Sequence, residues 1–283
     1  MFGPTGAGKT AVAEALADRL DTEVVSADAM QVYRGLPILT NQPEHPTRLV
    51  AIRELSDEMS VGEYARLAQA AIDELVAARG SAVVAGGTGL YLRAALAELE
   101  LPPRVDSDVR KRWDAAYDDD PEAAFAELRE RDPAASALVH PNDRRRVVRA
   151  LELTEAGASL ARREDRLWAE QTRRPTLIAG LEVSNDVLAK RIERRTREMF
   201  ERGVVEEARR AQAPSATAAK ALGLQDVLEL GPDEAERAIV ARTRRYASYQ
   251  RKWMRRIPGI VMIDAEGTAE EVADAILEVA RAR

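Results

Sequence analysis

The 283-residue chain has no cysteine, which removes a disulfide framework, a thiolate metal site and a cysteine nucleophile together. Histidine is almost as scarce, and two residues cannot build a His-rich metal centre. No apolar run reaches the roughly 18 to 20 residues of a membrane helix. The opening Met-Phe-Gly-Pro is neither a secretion signal nor a transit peptide, so a cytoplasmic protein is expected. No sustained heptad or exposed apolar stripe stands out, and a monomer is expected. A last absence concerns the start. Only Met1 and Phe2 precede a glycine-rich loop at Gly3, too few for the core strand that normally leads into such a loop. With that strand absent the chain is expected to be of low stability, and a version extended upstream should melt higher; equal midpoints would defeat the idea.

What is present describes a globular chain, 46% hydrophobic and 32% charged, long enough for one substantial core and a smaller second unit. The net charge of −6 argues only superficially against a nucleic-acid partner, because charge is unevenly distributed. Acidic residues outnumber basic ones from Glu98 to Asp132, whereas Arg242 to Arg256 holds seven Arg or Lys and no acid.

Short apolar runs at Glu23 to Ala27, Ser81 to Ala85, Thr176 to Leu181 and Ile260 to Asp264 read as buried parallel strands. Helical patterns fill the gaps, at Thr10 to Leu20, Val61 to Arg79, Asn185 to Gln212 and Ala269 to Arg281, the last with a Thr268/Glu271 capping box. The alternation predicts an α/β fold, a parallel sheet of the P-loop type flanked by helices. Residues 104–174 show no strand-like run and read as a mainly helical insertion between the two parts of the core, 1–103 and 175–283.

GPTGAGKT, Gly3 to Thr10, matches the loop G-x-x-x-x-G-K-[ST] of ATP-binding and other nucleotide-binding proteins. Glycine lets backbone N–H groups converge on an anion, Lys9 adds charge and the Thr10 hydroxyl reaches Mg²⁺. A flexible glycine loop is the plainer alternative. Asp28 opens DAMQVYRGL just past the strand ending near Ala27, where open α/β sheets place ligands. It could ligate Mg²⁺, act as a general base, or merely cap the following turn. GGTGLY, Gly86 to Tyr91, puts Thr88 at another strand end, or is a bare turn. In RIERRTREMFERG, Arg191 and Arg195 are spaced i, i+4, so both can face a phosphate from one helical face; Glu193 and Glu198 also allow a solvated, ion-paired helix. RTRRYASYQRKWMRR interleaves its cations with Tyr246, Tyr249 and Trp253, suiting RNA or an aromatic face packed inward.

In order, GPTGAGKT, DAMQVY, GGTGLY, HPNDRRRVVRALE, RIERRTREMFERG, KALGL and YASYQRKWMRR resemble the bacterial tRNA dimethylallyltransferases over nearly the whole chain. The resemblance implies transfer of a dimethylallyl group from dimethylallyl diphosphate to N6 of adenosine 37 in tRNAs reading codons that begin with U. The glycine loop (Gly3, Thr5, Gly6, Ala7, Gly8, Lys9 and Thr10, with Arg191) then holds a leaving diphosphate rather than ATP, with Mg²⁺ at Thr10. Asp28 matches the family's base, Thr88 a threonine near the reacting amine, and Arg195 a diphosphate-clamping arginine. A flipped adenosine would enter a channel, and the helical insertion would grip the anticodon stem. By the same carry-over Asp28, Ala29, Met30, Gln31 and Thr88 touch tRNA, as do Arg110, Arg145, Arg146, Arg149, Lys220, Gly223, Gln225, Tyr249, Gln250, Arg251, Trp253 and Arg255. The chain departs from the family's pattern at Leu39 to Pro43, at Thr47 and Arg48 where histidines are usual, at Lys220 and at Leu224. Three rivals remain: an adenylate isopentenyltransferase, for which the basic segment and insertion are superfluous; a small-metabolite kinase, which would consume ATP without RNA; and a non-catalytic RNA-binding protein, in which Asp28→Ala would change nothing.

Overall fold

The computed structural model describes residues 1–98, 103, 105–161 and 170–282. In chain order its elements are α1 (Lys9–Arg19), β1 (Val24–Ser26), β2 (Thr47–Arg48), α2 (Val61–Arg79), β3 (Val83–Ala85), α3 (Gly89–Leu96), α4 (Ser107–Asp119), α5 (Pro121–Arg131), α6 (Pro133–Ser136), α7 (Arg144–Glu155), β4 (Ala179–Glu182), α8 (Asn185–Glu201), α9 (Val204–Arg210), α10 (Leu224–Glu229), α11 (Pro232–Met254), β5 (Val261–Asp264) and α12 (Ala269–Arg281). The chain divides into Met1–Glu98 with Leu167–Arg283, and Leu99–Arg166. Those borders differ by several residues from the 104–174 read from helical pattern, because Thr172 to Arg174 lie with the first unit, where Arg173 and Arg174 pair with Asp73 at 3.0 and 2.8 Å.

In the first unit, β2-β1-β3 and β4-β5 are all parallel pairs, as continuous apolar runs require when both faces are covered. The place between β3 and β4 is not empty. Phe2, fully buried, bridges Gly86 on one side and Gly180 on the other, both parallel. Its N–H donates to the Ala179 carbonyl and its own carbonyl accepts from the Leu181 N–H, each at 2.8 Å, while the Met1 carbonyl accepts from Gly86 at 3.3 Å. Two residues thus hold the slot in which the sequence leaves no strand, and Gly3 leaves the sheet directly into the loop.

Caps explain why several helices run where they do. Ser60 accepts from the Glu63 N–H at 3.1 Å to start α2, and Gly80, at φ 79°, ends it. Thr268 and Glu271 form the expected capping box of α12, whose buried face of Val272, Ala273 and Ile276 joins the cluster that holds Val12 and Leu16 of α1. Each such aliphatic burial contributes roughly 1.5–3 kcal/mol. The single helix expected from Asn185 to Gln212 is instead two. Gly203, at φ 88°, sits in a left-handed conformation that a helix interior excludes, and the chain turns there.

In the second unit Asp120 and Asp132 cap α5 and α6, each followed by proline at the first helical position. Leu128, Val147, Val148 and Leu151 form its core. Among the described residues no helix is long and apolar enough to cross a membrane.

Candidate active site

The glycine loop leaves the sheet at Gly3, where an added Cβ would lie 3.1 Å from the Leu181 Cβ. Gly6 and Gly8 both take φ near 87° (86° and 87°), open to glycine at little steric cost. Gly8 is the N-cap of α1 and offers no side-chain acceptor, so the first-turn N–H groups and the positive end of the helix dipole have no side-chain cap. Lys9 donates to the Pro4 carbonyl at 2.9 Å. Its burial pushes the ammonium down to about 8, with Asp28 opposing the shift and Arg195 adding to it.

Opposite the loop, Arg191 and Arg195 stand one turn apart on α8 and line the same cleft, of about 1070 Å³, as Thr5, Lys9, Thr10, Asp28 and Thr88. Arg195 Nη1 donates to Thr5 Oγ1 at 2.9 Å. Its Nε is buried with no hydrogen-bond partner among the described residues, and burial lowers the guanidinium's proton affinity against the pull of Asp28 and Glu198. A desolvated cation with an unused donor is a site built for an anion. Arg191 donates to the Ala265 carbonyl at 3.3 Å, with Nη1 3.9 Å from where a Gly8 Cβ would lie.

The Lys9 shift has a consequence in pH. An alkyl diphosphate, whose terminal phosphate loses its last proton at about pH 6, is nearly fully ionised above about pH 7, so its affinity should be flat until Lys9 loses its proton near pH 8 and should then fall by up to tenfold per unit. Without ligand the sign reverses for stability. The unfolded lysine keeps its proton to about 10.5 and the folded one releases it near 8, so unfolding free energy rises between those values. Calorimetric titration with methyl diphosphate from pH 7 to 10 checks this; a profile flat to pH 10 contradicts it.

Asp28 sits immediately after β1. Its Oδ1 accepts from the Met30 N–H at 2.9 Å, which is the turn-capping role, while Oδ2 has no hydrogen-bond partner among the described residues. The cap therefore uses one oxygen and leaves the other to the cleft. Thr88 Oγ1 accepts from the Ala29 N–H at 3.2 Å. Tyr246 lines the same cleft; burial of its hydroxyl first and then Asp28 push its phenol up to about 12. The sequence marks Tyr246 only as one aromatic among several cations.

The residues assigned to RNA by resemblance are dispersed. Ala29, Met30, Gln31, Lys220, Gly223, Gln225 and Gln250 line the cleft, with Lys220 and Gln225 exposed. The Gln31 amide is held inside, accepting from Ser26 at 2.8 Å and donating to the Asn41 carbonyl at 2.8 Å. On α11, Arg242 pairs with the buried Asp226 at 3.1 Å and Arg244 pairs with Glu193, so part of the basic run is neutralised from within. Lys252, Arg255 and the ring of Tyr249, 58% exposed, face solvent. Trp253 packs inward, its ring centroid 6.4 Å from that of Phe2. In the helical unit, Arg110 and Arg149 lie 3.4 and 2.8 Å from the buried Glu152, whereas Arg145 and Arg146 are exposed with no ion-pair partner among the described residues.

Arg251, an RNA contact by the resemblance, is engaged within the protein. Its guanidinium donates to Asn185 Oδ1 and to the Val183 carbonyl, tying α11 to the junction of β4 and α8. Arg251→Ala should therefore destabilise by about 1–3 kcal/mol and lower the thermal midpoint by several degrees, with the salt dependence of RNA binding unchanged. An unchanged midpoint with a flatter salt dependence would return Arg251 to the RNA face.

A family model described as IPP transferase matches residues 31–257. The chain belongs to the IPP transferase family. It is similar to the tRNA dimethylallyltransferase of Salinispora arenicola, 38% identical over 99% of this chain and 85% of that protein. The tRNA dimethylallyltransferase of Anaeromyxobacter dehalogenans is also 38% identical, over 96% and 97% of the two chains. Among solved structures it is similar to the full-length tRNA isopentenylpyrophosphate transferase of Bacillus halodurans (TM-score 0.68, 30% identity, 99% of this chain and 94% of that one). A eukaryotic dimethylallyltransferase acting on tRNA shares the fold (TM-score 0.78, 24% identity, 99% and 78%). The glycine loop and Asp28 precede the stretch that the IPP transferase model matches, so for them the geometry above carries the argument.

Proposed function

We propose that this IPP transferase moves a dimethylallyl group from dimethylallyl diphosphate to N6 of adenosine 37 in tRNAs that read codons beginning with U. It releases diphosphate and works as a monomer in the cytoplasm. The observation that carries the reading is the single cleft in which a buried arginine with an unused donor and a lysine of lowered proton affinity meet Asp28, whose Oδ2 has no hydrogen-bond partner among the described residues. Lys9, Arg195, Arg191 and the N–H groups of the glycine loop hold the diphosphate and stabilise the charge that grows on it as the allylic C–O bond breaks with its electron pair. The N6 nitrogen bonds to the allylic carbon, and Asp28 Oδ2 accepts the N6 proton. Thr88 holds the Asp28 segment and the amine in register.

Among the described residues no group of three or more His, Asp or Glu gathers to cage a metal. Thr10 nevertheless lines one small cavity of about 40 Å³ beside the cleft, together with Lys9, Glu14, Ser26 and Asp28. The Thr10 hydroxyl would hold Mg²⁺ there, an ion that needs few protein oxygens and would add charge that neutralises the diphosphate. Arg145, Arg146, Lys220, Lys252 and Arg255, exposed and without ion-pair partners among the described residues, supply cations to RNA phosphates.

Acceptor choice tests the proposal. Unmodified tRNA with adenosine at position 37 should take up the group; the same tRNA with guanosine there, and AMP, should not. Transfer to AMP at a comparable rate would favour a free-nucleotide prenyltransferase.

A further inference from the structure

Helix α11 inserts one uncharged polar side chain, Gln250, into the floor of the cleft, 2% exposed. Its Oε1 accepts from the Thr5 N–H at 2.7 Å, and its Nε2 donates to the Gly87 carbonyl at 2.8 Å. These partners are a backbone donor from the diphosphate loop and a backbone acceptor from the loop that carries Thr88. A carboxamide satisfies both at once; a carboxylate or an ammonium cannot. The fit is reciprocal, since a Cβ on Gly87 would lie 2.3 Å from Gln250 Nε2, and one on Gly89 would lie 2.0 Å from the Trp253 ring. Gly87 and Gly89 are the seat of Gln250 and Trp253, one turn apart on α11.

The contact extends in both directions. Beyond Thr5, the hydroxyl of that residue takes Arg195 at 2.9 Å. Beyond Gly87, the next residue is Thr88, whose hydroxyl accepts from the Ala29 N–H beside Asp28 at 3.2 Å. We infer that Gln250 is a positioning residue, which fixes the distance and angle between the diphosphate cradle and the proton-accepting segment. It touches neither reacting group. The inference rests on the proposed transfer, in which the breaking C–O bond and the N6 nucleophile must be aligned across that gap.

The test is a kinetic cycle of Gln250→Met, Thr88→Val and the double variant on the full chain with dimethylallyl diphosphate and unmodified tRNA. Methionine keeps the shape and removes both hydrogen bonds. The expected result is kcat lowered about 10- to 100-fold, with KM for either substrate within about threefold and a thermal midpoint close to wild type. The double variant should be no slower than the worse single one, because both losses act through one network. Normal kcat, or losses that multiply in the double variant, would overturn the inference. If the methionine variant fails to fold, Gln250→Glu keeps the acceptor for the Thr5 N–H and loses the donor to Gly87, and the same non-additivity with Thr88→Val decides. A wild-type chain that transfers nothing overturns the proposed function as well; a transferring wild type indifferent to Gln250 overturns this inference alone.

Discussion

Asp28→Ala should lower transfer by about 10²- to 10⁴-fold, the range that one positioned proton acceptor contributes, with RNA affinity within about twofold of wild type. Asp28 has two jobs that a single alanine removes together, since Oδ1 also holds the Met30 N–H. Asp28→Asn separates them. An asparagine keeps the Oδ1 acceptor for the turn but is a negligible base, so both variants should lose rate to a similar extent in single-turnover assays. A slow alanine variant beside an asparagine variant of near-normal rate would show that the turn matters and the carboxylate's basicity does not.

Arg195→Met should cost about 10²- to 10³-fold in transfer, as expected for removing a donor aimed at developing charge, and should also weaken diphosphate binding. Stability should move the other way. The buried guanidinium carries an unsatisfied Nε and loses proton affinity through burial, so the ligand-free protein bears a desolvation cost that methionine lacks. The midpoint of the ligand-free variant should therefore equal or exceed that of wild type. Inorganic diphosphate should raise the wild-type midpoint by mass action and leave the variant nearly unmoved. A variant that is less stable without ligand, yet equally stabilised by diphosphate, would make Arg195 a structural residue.

Legibility from sequence followed the range of the interactions. Helices α2 and α12 run as their pattern and caps indicate, because Ser60, Gly80 and Thr268 act within a few residues of themselves. The pairing of Arg191 with Arg195, and the convergence of the glycine loop, Asp28 and Thr88 at strand ends, follow from helix period and parallel-sheet topology. The two-residue β2 carries too little pattern to be seen. Phe2 in the sheet could not be read because its partners, Gly86 and Gly180, lie far along the chain. The same limit hides the reason for Gly87 and Gly89, which answer to Gln250 and Trp253 more than 150 residues later. It also hides the division of the arginines. Arg251 and Arg145 are equally basic in sequence, but only Arg251 meets a backbone carbonyl and an asparagine from another element.

Nucleoside mass spectrometry is the most direct test of the prenyl transfer. The protein, dimethylallyl diphosphate, Mg²⁺ and unmodified tRNA are incubated together, with ATP replacing the prenyl donor in a control, and the digested RNA is analysed. A single dimethylallyl mass gain on adenosine, absent from the ATP control, is expected; adenosine of unchanged mass in both samples would contradict the reading of this cleft.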